Sequence, residues 1–177
     1  MSVWLARHGE TAYNAERRFQ GQGSVPLSER GREQARALAE VAAGRGFAAL
    51  WCSPLPRAQE TADIVAARLG VAPIADARLM ETDAGDWTDR PFAEVQAQEP
   101  ELFGAFVAGA VDFAFPGGES FADQQDRVTA ALADIRTAGP LPALVVCHRN
   151  SIRLALERAQ GRHLSLDDVP NGALVEL

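Results

Sequence analysis

Residues 142–153 read PALVVCHRNSIR. The apolar run at 142–147 has the length and β-branched content of a strand buried on both faces. It stops abruptly at His148-Arg149, and Ile152, Leu156 and Ala159 then recur at helical spacing. A buried strand, a polar cluster and a helix in immediate succession describe one unit of an α/β domain, and the same grammar recurs elsewhere in the chain.

Residues 2–6, SVWLA, form a first apolar run closed by Arg7-His8. A second, AALWC at 48–52, is followed by Ser53-Pro54 and then Arg57. Ser53-Pro54 reads as a cap residue and a first-turn proline opening a helix. Ala58, Ala62, Val65 and Leu69 give that helix its inner face and Gly70 its end. Ser28 caps an earlier helix that runs to about Ala43, with Leu38, Val41 and Ala42 expected inside. Residues 72–76 read as a short strand and residues 79–90 as a loop. Residues 92–109 read as one or two short helices broken at Pro100. After a turn at 115–120, Ser120 and Asp123 have capping-box spacing, and Val128, Leu132 and Ile135 mark the inner face of the helix that follows. Residues 173–177 close the chain as a strand. There is no repeat, low-complexity tract or linker, so the 177 residues are expected to form one domain, α/β in class with a mostly parallel sheet.

Composition excludes several classes of function. The net charge is −7 and the chain contains no lysine, a balance opposed to nucleic-acid binding. No apolar run approaches the roughly 20 residues of a membrane span, and 2–6 is too short for a signal sequence, so a cytoplasmic location is expected. Cys52 and Cys147 lack metal or redox spacing and end apolar runs, as small hydrophobes on buried strands do. A disulfide between them is not expected in the cytoplasm. His8, His148 and His163 are far apart and form no metal-ligand motif. His163 is expected on the surface, and Trp87 in packing.

If the strands at 2–6, 48–52 and 143–147 are parallel neighbours, Arg7, His8, Arg57 and His148 meet beyond their carboxyl ends, where α/β sheets bind ligands. Taken singly, each has an ordinary reading: a surface pair, a solvated helix residue, a core histidine. Together, two guanidiniums suit an anion, and a phosphate uses their donors better than a carboxylate does. A neutral imidazole is a competent nucleophile toward phosphorus, and nearby arginines disfavour its protonation. A leaving oxygen would need a proton, for which Glu81 is the candidate acid; burial or a dianionic substrate would help it carry one. Asn14 could add a neutral donor, and Gly9 permits close backbone approach.

These blocks resemble the histidine phosphatase superfamily, the phosphoglycerate-mutase-like group. The resemblance is carried by RHGET (7–11), Asn14, FQGQGSVPLSERGREQA (19–35), SPLPRAQETA (53–62), ETDAGDW (81–87), PGGES (116–120), VVCHRNSIR (145–153) and NGALVEL (171–177), in family order along nearly the whole chain. It implies a three-layer α/β/α sandwich. It also implies a phosphomonoester hydrolase working through a phosphohistidine on His8. Arg7, Arg57, His148 and Asn14 would hold the phosphate, and Glu81 would serve as proton donor and then as base for water. No metal or organic cofactor is implied, and the expected partner is a small-molecule phosphomonoester. The chain departs from the family at Arg149, where glycine usually follows the second histidine, making Arg149 a candidate substrate contact. Ser24 stands where aspartate is frequent, and Thr88-Asp89 where Glu-Gly is frequent. Within the family the chain looks most like the small phosphatases, those acting on α-ribazole 5′-phosphate among them. A mutase and a non-catalytic phospho-ligand-binding domain are the alternatives.

Overall fold

The computed structural model describes residues 2–161, 164–165 and 168–177; His163 lies outside them. Five strands form one sheet: β1 (Val3–Arg7), β2 (Ala49–Cys52), β3 (Pro73–Ala75), β4 (Ala143–Cys147) and β5 (Leu174–Glu176). Their order is β3-β2-β4-β1-β5. The first three pairings are parallel and β5 joins β1 antiparallel. The three strands singled out by their polar endings are therefore adjacent and point the same way.

The layers follow from the alternation of side chains on the strands. Val3, Leu5, Val145 and Cys147 face α6 (Phe121–Ala138) and α7 (Arg149–Gln160), where they meet Val128, Leu132, Ile135, Ile152 and Leu156. Ala6, Leu50, Cys52, Leu144 and Val146 face α2 (Glu29–Ala43) and α3 (Pro56–Leu69), where they meet Leu38, Ala39, Ala42, Ala58, Ala62 and Val65. The result is the expected α/β/α sandwich. Both cysteines are free and buried, and burial pushes the Cys52 thiol up to about 11 and that of Cys147 up to about 12.

A short helix, α1 (Ala12–Ala15), follows β1, and two more, α4 (Phe92–Gln98) and α5 (Pro100–Ala108), carry a third cluster at the edge of the site. Here Phe19, Trp87, Phe106, Phe113, Phe115 and Phe121 pack in tilted and edge-to-face pairs, the Trp87 and Phe115 rings 5.5 Å apart at 89°. Trp87 is thus a packing residue, and its indole N–H donates to Glu99 Oε2 at 3.1 Å.

Several local expectations are corrected. The helix after β2 begins at Pro56, not at Ser53-Pro54. Leu55 precedes a proline and is held extended (φ −66°, ψ 138°), so no helix can start before it. Ser53 is released from capping and acts elsewhere. Val41 is 52% exposed, because the small Ala35, Ala39 and Ala42 set which stripe of α2 lies on the sheet. Ala159, in the last turn of α7, is exposed as the helix runs past the sheet. The 79–90 loop contains a 3-10 turn at Gly85–Trp87 and follows another at Ala77–Leu79. Ser120 caps α6 by accepting from Asp123 N, but the Asp123 carboxylate accepts from the Ser120 hydroxyl and not from its backbone N–H.

Among the described residues, no helix is long and apolar enough to cross a membrane. No group of three or more His, Cys, Asp or Glu side chains among them could hold a metal ion.

Candidate active site

The carboxyl ends of β1, β2 and β4 open into a cavity of about 380 Å³. Arg7, His8, Asn14, Arg57, Glu81 and Arg149 all line it. They come from β1 and the loop after it, α1, the start of α3, the 79–90 loop and the start of α7. His148 is fully buried and is not one of the lining residues; its ring centroid lies 5.2 Å from that of His8.

His8 leaves β1 with its backbone N–H donating to Cys147 O at 3.1 Å, which ties it to β4. Gly9 lets this loop touch α2: a Cβ there would collide with the carbonyl of Gly31, and one on Gly31 would collide with Glu10 backbone. The Gly9 N–H donates to Thr61 Oγ1 at 3.1 Å, and Asn171 Nδ2 donates to His8 O at 3.0 Å. The ring itself is oriented by a 2.6 Å contact between Nδ1 and Gly9 O. A carbonyl can only accept, so Nδ1 carries the proton and Nε2 holds the free lone pair. Burial, then the charges of Arg57 and Arg7, hold the imidazole well below its ordinary pKa. It is neutral at pH 7. Repulsion by arginine, the cause read from sequence, ranks behind desolvation.

Arg57 is buried beneath the 21–23 loop, donating from Nη1 to Gly23 O at 3.0 Å and from Nη2 to Gly21 O at 2.8 Å. Arg7 donates from Nη1 to Val169 O at 2.6 Å. Burial pulls both guanidiniums down, Arg7 to about 9 and Arg57 to about 10, so both stay charged at neutral pH. The charge of Arg149 is the second cause at Arg7. The Nε atoms of Arg7 and Arg57 are buried with no hydrogen-bond partner among the described residues, as is His148 Nδ1. Buried donors are rarely left so, and at the mouth of a cavity a ligand or water can complete them.

The other ring nitrogen of His148, Nε2, lies 2.7 Å from Ser53 Oγ. Burial, then the charge of Arg57, depresses its pKa as well. Asn14 completes a capping box with Thr11, so its Oδ1 is committed and Nδ2 is the part able to donate to a ligand. Glu81 Oε1 accepts from Thr82 N at 3.0 Å and Gln124 Nε2 at 3.1 Å. Two neutral imidazoles, two fixed guanidiniums and a carboxylate can bind a phosphoryl group, attack it and move a proton.

The model of the histidine phosphatase superfamily (branch 1) matches residues 3–177. The chain belongs to the histidine phosphatase superfamily. A relative from Enterobacter sp. (strain 638), named "Probable phosphoglycerate mutase GpmB", is 42% identical over 134 residues, 76% of this chain and 62% of its own length. The match thus spans less than two thirds of that relative. Among solved structures, a mycobacterial glucosyl-3-phosphoglycerate phosphatase complexed with VO3 has a TM-score of 0.87 and 32% identity, over 99% of this chain and 91% of its own. A candidate alpha-ribazole-5'-P phosphatase from Escherichia coli str. K-12 has a TM-score of 0.81 and 28% identity, over 99% and 89%.

The sequence pattern does not reveal the supporting residues of the site. Ser53, Thr61, Thr82, Gln124 and Asn171 each hold a site residue in place, and all but Asn171 are buried. Ser53 had a signal, standing directly after a strand at the carboxyl edge of the sheet. Gln124, in the first turn of α6, had none.

Proposed function

We propose that the chain is a metal-independent phosphomonoester hydrolase that forms a phosphohistidine on Nε2 of His8. The observation that carries this is the neutral, buried His8, fixed through Nδ1 beside two guanidiniums. In the first step Nε2 bonds to phosphorus as the P–O bond breaks, and Glu81 protonates the leaving alkoxide. In the second, water gives a proton to Glu81 and bonds to phosphorus as the N–P bond breaks. Arg7, Arg57, His148 and Asn14 hold the phosphoryl oxygens, charge stabilisation that grows toward the transition state.

The substrate is a small phosphorylated metabolite, with α-ribazole 5′-phosphate as the named candidate. The cavity supports an organic body beyond the phosphate, because Phe92, Phe106 and Phe115 form an apolar wall. Arg149 reaches the same cavity and its charge is felt at His8 and Arg7, which favours contact with a polar group of the substrate. In Arg149→Gly, KM should rise for the true substrate more than kcat falls.

A brief incubation with labelled phosphomonoester should leave base-stable, acid-labile label on His8. Vanadate, which adopts the five-coordinate geometry of the transferring group, should inhibit. Full activity of His8→Ala would overturn the reading, as would a wild type that never labels. The "Probable phosphoglycerate mutase GpmB" relative favours a second reading, phosphoryl transfer back onto the same bound molecule. Isomerised phosphoglycerate in place of free phosphate would select it.

A further inference from the structure

The two oxygens of Glu81 are not equivalent. Oε1 accepts from Thr82 N at 3.0 Å and from Gln124 Nε2 at 3.1 Å. Among the described residues, Oε2 accepts only a long 3.4 Å bond from Asn150 N. An oxygen with two firm donors is held; an oxygen with one weak donor can exchange a proton.

The amide that makes this difference is itself fixed. Gln124 is fully buried in the first turns of α6. Its Oε1 accepts from the Thr82 hydroxyl, and its Nε2 also meets Ser151 Oγ at 3.1 Å. The Ser151 hydroxyl lies 3.3 Å from Met80 O, to which it donates, and Thr82 Oγ1 in turn accepts from Asn150 Nδ2 at 3.2 Å. Turning the amide over would set its carbonyl oxygen against the Glu81 carboxylate, so the network admits one orientation.

The backbone of the loop is held by other groups. Arg127 donates from Nη1 to Met80 O at 2.7 Å and from Nη2 to Glu81 O at 3.0 Å, and Gln22 Nε2 donates to Glu81 O at 3.2 Å. Loss of the Gln124 amide therefore leaves Oε1 held by Thr82 alone, while these bonds keep the Glu81 Cα in place.

We propose that Gln124 is a positioning residue that locks Oε1 of Glu81 and so makes Oε2 the oxygen that exchanges the proton. This rests on Glu81 being the proton donor. The proton leaves Oε2 for the leaving-group oxygen as P–O breaks and N–P forms. It returns to Oε2 from water as O–P forms and N–P breaks.

The test compares first-turnover leaving-group release from phenyl phosphate and 2,4-dinitrophenyl phosphate. Phenoxide needs protonation to leave; dinitrophenoxide does not. In Gln124→Met, similar in volume, phenol release should slow about 100-fold, the scale of a misplaced catalytic group, and dinitrophenol release by no more than about threefold. Adding Gln124→Met to Glu81→Gln should slow phenol release no further. Thr82→Val, which removes the hydroxyl that orients the amide, should reproduce the selective loss, and Thr82→Ser should restore the rate. Equal slowing on both substrates, or none, overturns the role of Gln124. If Glu81→Gln itself slows the two substrates equally, the reading of Glu81 as acid fails; if only Gln124→Met does, that reading survives and this inference falls.

Discussion

Each charged or titratable side chain at the site is useful because something uncharged holds it. Arg57 presents a cation to the cavity because two loop carbonyls take its Nη donors and leave Nε without a partner among the described residues. Lysine carries the charge but cannot span both carbonyls and a ligand. Arg57→Lys should therefore lower kcat/KM by about 100-fold, in the range seen when one preorganised donor is removed, measured at steady state on phenyl phosphate. Ser53 plays the same part for His148 through the 2.7 Å contact at Nε2. Ser53→Ala leaves that buried nitrogen without a partner and should cost about 1–3 kcal/mol in a urea titration. RHGET named the reacting residues, but nothing in the sequence joined Ser53 to His148, 95 positions away. Local spacing reports which groups can face one way; it does not report which distant hydroxyl will meet them.

At the scale of elements, the site depends on how closely the His8 loop approaches α2. Gly31 is one turn into that helix, where alanine is ordinarily the better helix former by up to about 1 kcal/mol. Here a Cβ would strike Glu10 backbone. Gly31→Ala should therefore destabilise, by about 1–3 kcal/mol as overpacked contacts do, and should lower activity by shifting residues 8–10. Gly104, in α5, meets nothing within 4 Å of a built Cβ. Gly104→Ala should stabilise, up to about 1 kcal/mol. Thermal unfolding of the two variants should move in opposite directions. The same contrast separates what was legible in these elements from what was not. The caps at Ser28 and Gly70 are local chemistry and stand where the sequence put them. The inner face of α2 is not local: Leu38 and Ala42 are buried, but the exposure of Val41 is decided by which stripe the sheet receives.

The whole molecule keeps two imidazoles neutral and fully buried in the field of several arginines. Their folded pKa values lie well below 6.5, the value expected in the unfolded chain. Below about pH 6.5 the unfolded chain binds protons that the native state refuses, so stability falls as the solution is acidified. The limiting slope is about 1.4 kcal/mol per pH unit for each histidine, down to its folded pKa. Urea titrations across that window should show the fall, and His8→Asn should lower its slope by one proton; a slope unchanged in the variant would contradict the burial of His8 in neutral form.

The sequence by itself determined the strands, their polar endings and the family. Those features are written in short-range pattern, in apolar runs, prolines and glycines that constrain their own neighbours. It also identified Arg7, His8, Asn14, Arg57, Glu81 and Arg149, which the fold brings to one cavity. Only the tertiary structure decided that His148 lies beside the cavity instead of on its wall, that Ser53 meets His148, and that Gln124 reaches Glu81 from another helix. The reason is physical. A buried polar group must find a partner wherever the fold brings one, and the choice of partner depends on packing distances between elements, which no local pattern encodes.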